Sequence, residues 1–101
     1  MQKLKKEEAY IFAMLDDSDQ AALAAFDKLY ERLSDDDEMQ GTAKLPIFVT
    51  IYIDRYDDCY LWKSAVNNNV FERTFYRYRH EFIDWFHFYY KKAFKQSSPA
   101  A

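Results

Sequence analysis

The stretch "FERTFYRYRHEFIDWFHFYYKKAF", residues 71–94, decides the fold that this sequence predicts. Eleven of its 24 residues are aromatic. One set of rings recurs at steps of four and three residues, as on one side of a helix: Phe71, Phe75, Tyr78, Phe82, Trp85 and Tyr89. A second apolar set runs beside it: Tyr76, Ile83, Phe86, Tyr90 and Phe94. Two adjacent stripes predict a long helix that packs against neighbours on two sides, rather than a surface on which bases stack.

Phe88 departs from both stripes. It falls in line with charged residues such as Asp84 and Lys91 on the remaining side of the helix. A phenylalanine beside Trp85 and Tyr89 can extend an apolar surface patch. Phe88 is therefore a candidate apolar contact with a partner.

Two amphipathic helices are predicted before this one. In residues 3–15, Leu4, Glu8, Ile11 and Leu15 recur at helical spacing. The second helix, over residues 19–33, carries an apolar stripe at the same spacing: Ala22, Phe26, Leu29 and Leu33. The acidic stretches "DDSD" and "SDDDE" bracket this second helix, and the first supplies capping residues for it.

The segment "IFVTIYID", residues 47–54, is ambiguous. Its β-branched residues alternate as in a strand, and Pro46 suits the first turn of a helix. No turn signal interrupts residues 47–66, a length that favours a helix. The predicted fold is all-α, a single domain over 1–101 forming an antiparallel bundle of about four helices, with a disordered tail at 96–101. The alternative is an α+β fold with one strand near 47–54.

The charge is uneven along the chain. Residues 1–42 hold five Lys/Arg and eleven Asp/Glu, while residues 43–101 hold nine and six, which sums to the net charge of −3. Proteins that bind nucleic acids without sequence preference are normally basic overall. The charge of this chain therefore favours binding to a protein with a basic surface over binding to a nucleic acid. The candidate partner-binding carboxylates belong to the two acidic stretches: Asp16, Asp17, Asp19, Asp35, Asp36, Asp37 and Glu38.

Signatures of catalysis and of cofactor binding are missing from the sequence. Gly41 is the only glycine, which excludes a glycine-rich phosphate loop, and Cys59 is the only cysteine. His80, Asp84 and His87 share a helix face, but bundle metal sites need matching carboxylates from other helices. The sequence therefore predicts a protein that is not an enzyme and binds neither metal nor cofactor.

Three functions fit these features. The first is a small acidic inhibitor, or an immunity or anti-defence protein of bacterial or phage type, that occupies a basic site on a nuclease, toxin or nucleic-acid-handling complex. The second is a nucleic-acid-associated regulator that uses basic residues of the last helix: Arg73, Arg77, Arg79, Lys91, Lys92 and Lys95. The third is a scaffold protein that self-associates as a homodimer. No stretch reaches the length of a membrane span, and the first apolar run follows Glu7 and Glu8, unlike a signal peptide; a cytoplasmic location is expected.

Overall fold

The computed structural model describes residues 2–55, 67 and 70–97. These ranges include α1 (Gln2–Asp16), α2 (Gln20–Gln40), α3 (Lys44–Phe48), the π turn (Val49–Ile53) that continues α3, and α4 (Glu72–Ser97). The described residues contain no strand. The predicted all-α bundle of about four helices is therefore confirmed.

Local chemistry sets both ends of α2. The side chain of Asp19 accepts a hydrogen bond from the backbone N–H of Ala22 at 3.1 Å, which caps the helix start. At the other end Gly41 takes the left-handed conformation, with φ 69°, and its N–H donates to the carbonyl of Asp37 at 3.0 Å. The predicted end near Leu33 was wrong by seven residues. The acidic stretch after Leu33 continues the helix as far as Gly41, which adopts the left-handed conformation without the strain that a side chain adds.

The ambiguous segment is helical, so the alternative of a strand near 47–54 is wrong. Pro46 lies in the first turn of α3, and its carbonyl accepts from the Thr50 hydroxyl at 2.9 Å. Ile51 and Tyr52 are buried with residues of α3. Burial of this helical face outweighs the strand preference of the β-branched residues. The helical path stops near Arg55, whose φ is 54°. The predicted continuation to residue 66 lies outside the described residues.

α4 packs along α2 in an antiparallel arrangement and carries the largest rings of the core. Phe82 is fully buried and meets Phe48 edge to face, with ring centroids 5.4 Å apart. Phe75 and Tyr78 are buried as predicted. Phe71 is 83% exposed, so its place in the predicted seam was wrong. It precedes the first residue of α4 and therefore does not share the face of the helix that follows.

α2 and α4 are linked by a polar contact at one end of the pair. The Tyr90 hydroxyl donates to the Asp19 carboxylate at 3.3 Å, which joins the start of α2 to the C-terminal part of α4.

α4 continues to Ser97, so the first two residues of the predicted disordered tail are helical. The other four lie outside the described residues. None of the described helices is long and apolar enough to span a membrane.

Candidate functional site

Asp16, one of the predicted partner-binding residues, makes an ion pair within the chain. The Arg55 guanidinium donates to both of its carboxylate oxygens, at 3.1 and 2.8 Å. These hydrogen bonds, together with the positive charge of Arg55, lower the pKa of Asp16. The same guanidinium lies 4.6 Å from the ring centroid of Phe12. Asp16 therefore ties the end of α1 to the residues that follow the π turn.

Asp37 closes the turn between α2 and α3. Its two carboxylate oxygens accept from the backbone N–H groups of Lys44 and Leu45, both at 2.8 Å. The Thr42 hydroxyl also donates to this carboxylate. Free N–H groups at the start of a helix require acceptors, and Asp37 satisfies two of them from the preceding helix. Its carboxylate therefore accepts hydrogen bonds within the chain that hold this turn together.

Asp36 belongs to a second contact, centred on Lys44. The Lys44 ammonium lies 3.2 Å from Asp36 on α2 and 2.9 Å from Glu81 on α4. Burial by itself lowers the pKa of Lys44, but the hydrogen bonds and charges of these two carboxylates outweigh it and raise the pKa. Only 8% of Lys44 is exposed. This lysine consequently joins three helices, with Asp36 as one of its two carboxylate contacts.

The carboxylates that remain exposed on α2 follow one line along the helix. We call them the acidic ridge: Asp27, Glu31, Asp35 and Glu38. Their spacing of four, four and three residues keeps them on one side, over a length of about 16 Å at 1.5 Å per residue. Among the described residues, Lys28 is the only cation within 4.0 Å of the ridge, at 4.0 Å from Glu31.

The ridge differs in part from the predicted acidic site. Asp35 and Glu38 belong to both, and Asp17 is exposed in the turn before α2. Asp16, Asp36 and Asp37 make contacts within the chain, as does the capping residue Asp19. Asp27 and Glu31 were absent from the prediction, although their spacing with Asp35 was readable in the sequence. The acidic stretches were grouped by position in the chain, whereas the helix groups residues by face.

The predicted basic site on α4 is exposed except for one residue. Five of its six residues are exposed: Arg73, Arg77, Lys91, Lys92 and Lys95. Arg79 is only 4% exposed and forms a bidentate ion pair with Glu8 of α1, with Nε 3.1 Å from one carboxylate oxygen. The inclusion of Arg79 among surface nucleic-acid contacts was therefore wrong. The sequence signal for the pair was Glu8, a carboxylate at an apolar-stripe position of α1.

An exposed face formed by α2 and α4 carries two adjacent grooves. One, of about 330 Å³, is lined by Ala24, Lys28, Tyr89, Lys92 and Ala93. The other, of about 230 Å³, is lined by Lys28, Glu31, Arg32, Asp35, Asp36 and Tyr89. Lys28 and Tyr89 line both, so the grooves are neighbours. We call this surface the α2/α4 face.

Aromatic rings and cations are in contact next to Tyr89, which lines both grooves. The Arg32 guanidinium stacks on Trp85 at 3.5 Å from the ring centroid, and its buried Nε has no hydrogen-bond partner among the described residues. Phe88, the predicted apolar contact, is 44% exposed and packs edge to face against Trp85. The Lys92 ammonium lies 4.6 Å from the Phe88 centroid.

The candidate metal ligands on α4 do not converge with others. His80, Asp84 and His87 are all exposed on this helix. Within the described ranges, no three histidine, cysteine, aspartate or glutamate side chains are grouped so that they could hold a metal ion.

No protein-family model, curated protein or solved structure matches this chain.

Proposed function

We propose that this protein acts by binding, without catalysis, to a protein partner that presents a basic surface. The observation that carries the proposal is the acidic ridge, in which four exposed carboxylates follow one line on α2. A single-sign line of charge steers an oppositely charged surface during encounter and fixes its orientation. The class that fits is an inhibitor, or an immunity or anti-defence protein, that covers a basic site on a nuclease, toxin or nucleic-acid-handling complex.

The rigidity of α2 supports this role. The helix is capped at both ends and held against α4 by a core that includes Leu29, Leu33 and Phe82. Carboxylates on such a helix keep fixed spacings, so they can match cations on a partner without first being ordered. A pre-organised surface loses less conformational entropy on association than a flexible one.

The test compares two double variants of equal charge. Asp27→Asn/Glu38→Gln neutralises the two outer members of the ridge, and Glu72→Gln/Asp84→Asn neutralises two exposed carboxylates of α4. Each is used as bait beside the parent protein in lysate of the source organism, with quantitative mass spectrometry. We expect basic proteins captured by the parent and by the α4 variant to be depleted about tenfold with the ridge variant, which corresponds to about 1.4 kcal/mol.

Association and dissociation rates measured with the captured protein then distinguish electrostatic steering during encounter from contacts made only in the bound complex. Loss of rim charges chiefly slows association and weakens its dependence on salt. The ridge variant should therefore have a lower association rate at low salt and a dissociation rate close to that of the parent. Equal capture by all three baits, or equal rates at low and high salt, contradicts the proposal.

A further inference from the structure

The turn between α1 and α2 contains no residue that stops a helix, since residues 2–40 include neither glycine nor proline. α1 ends in a Schellman motif, in which the Ser18 N–H donates to the Leu15 carbonyl at 3.1 Å. The Asp19 N–H completes the motif by donating to the Met14 carbonyl, also at 3.1 Å. Ser18 takes the left-handed position, with φ 57°, which glycine adopts without strain and a residue with a side chain does not. A continuous helix through this turn would relieve that strain.

α1 packs on the rest of the molecule through apolar side chains and complementary charges. On both sides of Glu8, α1 contributes residues to the hydrophobic core. Glu8 itself makes the buried bidentate ion pair with Arg79 of α4. Next to the turn, Asp16 accepts both of its hydrogen bonds from Arg55. A buried guanidinium without its carboxylate is destabilising, so the surface under α1 fits an apolar helix that carries a carboxylate where Glu8 lies.

We infer that two copies of this chain exchange α1, so that α1 of each copy packs on the other and residues 2–40 of each form one continuous helix. An exchanged α1 meets the same side chains as the original one, which makes a second copy of this chain the partner that fits the surface under α1. The continuous helix would be about 58 Å long at 1.5 Å per residue. Because Asp16 binds Arg55 next to the turn, exchange about a twofold axis brings the two turns side by side.

Only the turn itself differs between the closed and the exchanged form. The closed form keeps the hydrogen bond from the Ala22 N–H to the Asp19 carboxylate, which the continuous helix gives up. The exchanged form loses the left-handed conformation of Ser18. These effects oppose each other, so protein concentration decides which form is populated. Self-association is tested on this chain alone, and its outcome does not depend on the partner proposed above.

The experiment mixes two charge-reversed variants, Glu8→Arg and Arg79→Glu. In a closed monomer of either variant, like charges meet in the buried pair. In an exchanged heterodimer, each α1 meets a side chain of opposite charge, so both pairs are restored. After passage of the equimolar mixture through mildly denaturing urea, we expect it to melt about 10 °C above either variant alone. Its mass should approach twice 12.2 kDa in sedimentation equilibrium.

An exposed pair provides the same test where a buried reversal prevents folding. Asp16→Arg and Arg55→Asp change side chains that are 61% and 36% exposed, so each variant should fold, as circular dichroism establishes. Their equimolar mixture should associate at least tenfold more tightly than either variant alone. A dimer that forms without exchange of α1 gives no such difference, because each ion pair then stays within one chain.

Variants of the turn shift the equilibrium in opposite directions. Ser18→Gly relieves the strain of the closed form and should weaken self-association at least tenfold, which corresponds to about 1.4 kcal/mol. Asp17→Ala/Ser18→Ala/Asp19→Ala removes the cap and favours the continuous helix, so it should strengthen self-association at least tenfold. Glu31→Ala, on the exposed side of α2 away from the turn, is the control and should leave it unchanged.

Sedimentation equilibrium from about 1 to about 500 μM brackets a micromolar dissociation constant. The mass of the parent should rise from 12.2 kDa toward twice that value. The inference is overturned if the parent and the triple alanine variant both stay monomeric at the highest concentration. It is also overturned if a mixture of reversed variants associates no better than its components, or if Ser18→Gly associates as tightly as the triple alanine variant.

Discussion

The Glu8–Arg79 ion pair is a buried contact between two charged side chains. Both residues are 4% exposed, and they join α1 to the middle of α4 across 71 positions of sequence. The Arg79 guanidinium also lies 5.3 and 5.7 Å from the centroids of Phe75 and Tyr76. Two buried charges are tolerated where the geometry is bidentate and the surroundings supply further contacts. The pair therefore joins α1 to α4 at one buried point.

Neutralising one member of the pair should destabilise the folded protein. We expect Glu8→Gln to lower the free energy of unfolding by about 3 kcal/mol, since the buried guanidinium loses its carboxylate. The adjacent control Glu7→Gln should change it by less than about 0.5 kcal/mol. Urea denaturation measures both. In a double-mutant cycle with Arg79→Met, the coupling energy should exceed about 1 kcal/mol, and additive effects would refute a direct interaction.

At the scale of helices, the sequence predicted the elements better than their ends. Helical spacing identified α1, α2 and α4 because each buries one stripe against the core. The end of α2 was misplaced because six of the seven residues after Leu33 are polar and the seven carry no apolar period, yet nothing before Gly41 stops a helix. In α3 and the π turn, Ile47, Phe48 and Tyr52 are buried, while Leu45 and Val49 are half-buried. Which face is buried depends on the neighbours of a helix, which a single sequence does not give.

Asp37 supplies a prediction about the turn between α2 and α3. Asp37→Ala removes the acceptor of two backbone N–H groups and of the Thr42 hydroxyl, so it should cost about 2 kcal/mol. For a domain of this size that lowers the melting temperature by about 10 °C. Asp35→Ala, two residues earlier and exposed, should change it by less than about 3 °C. Equal melting curves for the two variants would show that the capping geometry does not stabilise the fold.

For the whole molecule, the opposite charges of the two halves of the chain are partly neutralised by packing. Lys44 of the basic half meets Asp36 of the acidic half, and Arg79 meets Glu8. The sequence therefore showed that acids and bases were segregated, but not which of them pair internally. Pairing depends on contacts between residues far apart in the chain. The acidic ridge consists of carboxylates that these contacts between the two halves leave exposed.

Stability at alkaline pH should depend on Tyr52. Burial, with the nearby negative charge of Glu8, strongly raises the pKa of Tyr52 above its ordinary value of 10.0. The carboxylates around Lys44 raise its pKa above 10.5. A raised pKa means that the folded state holds its proton more tightly than the unfolded state. The stabilisation is thus complete below pH of about 10 and is lost as the pH rises toward the folded-state pKa.

The free energy of unfolding should consequently fall above pH of about 10, with Tyr52 contributing up to about 1.4 kcal/mol per pH unit. Tyr52→Phe removes this contribution, so its stability should decline less steeply between about pH 10 and pH 11.5. At neutral pH the variant should be as stable as the parent or slightly more so, because the buried hydroxyl has no hydrogen-bond partner among the described residues. Tyr10→Phe, at an exposed position of α1, is the matched control and should follow the parent curve. Urea titrations at each pH provide the measurement, and identical slopes for the parent and Tyr52→Phe would show that the hydroxyl is not buried in the folded protein.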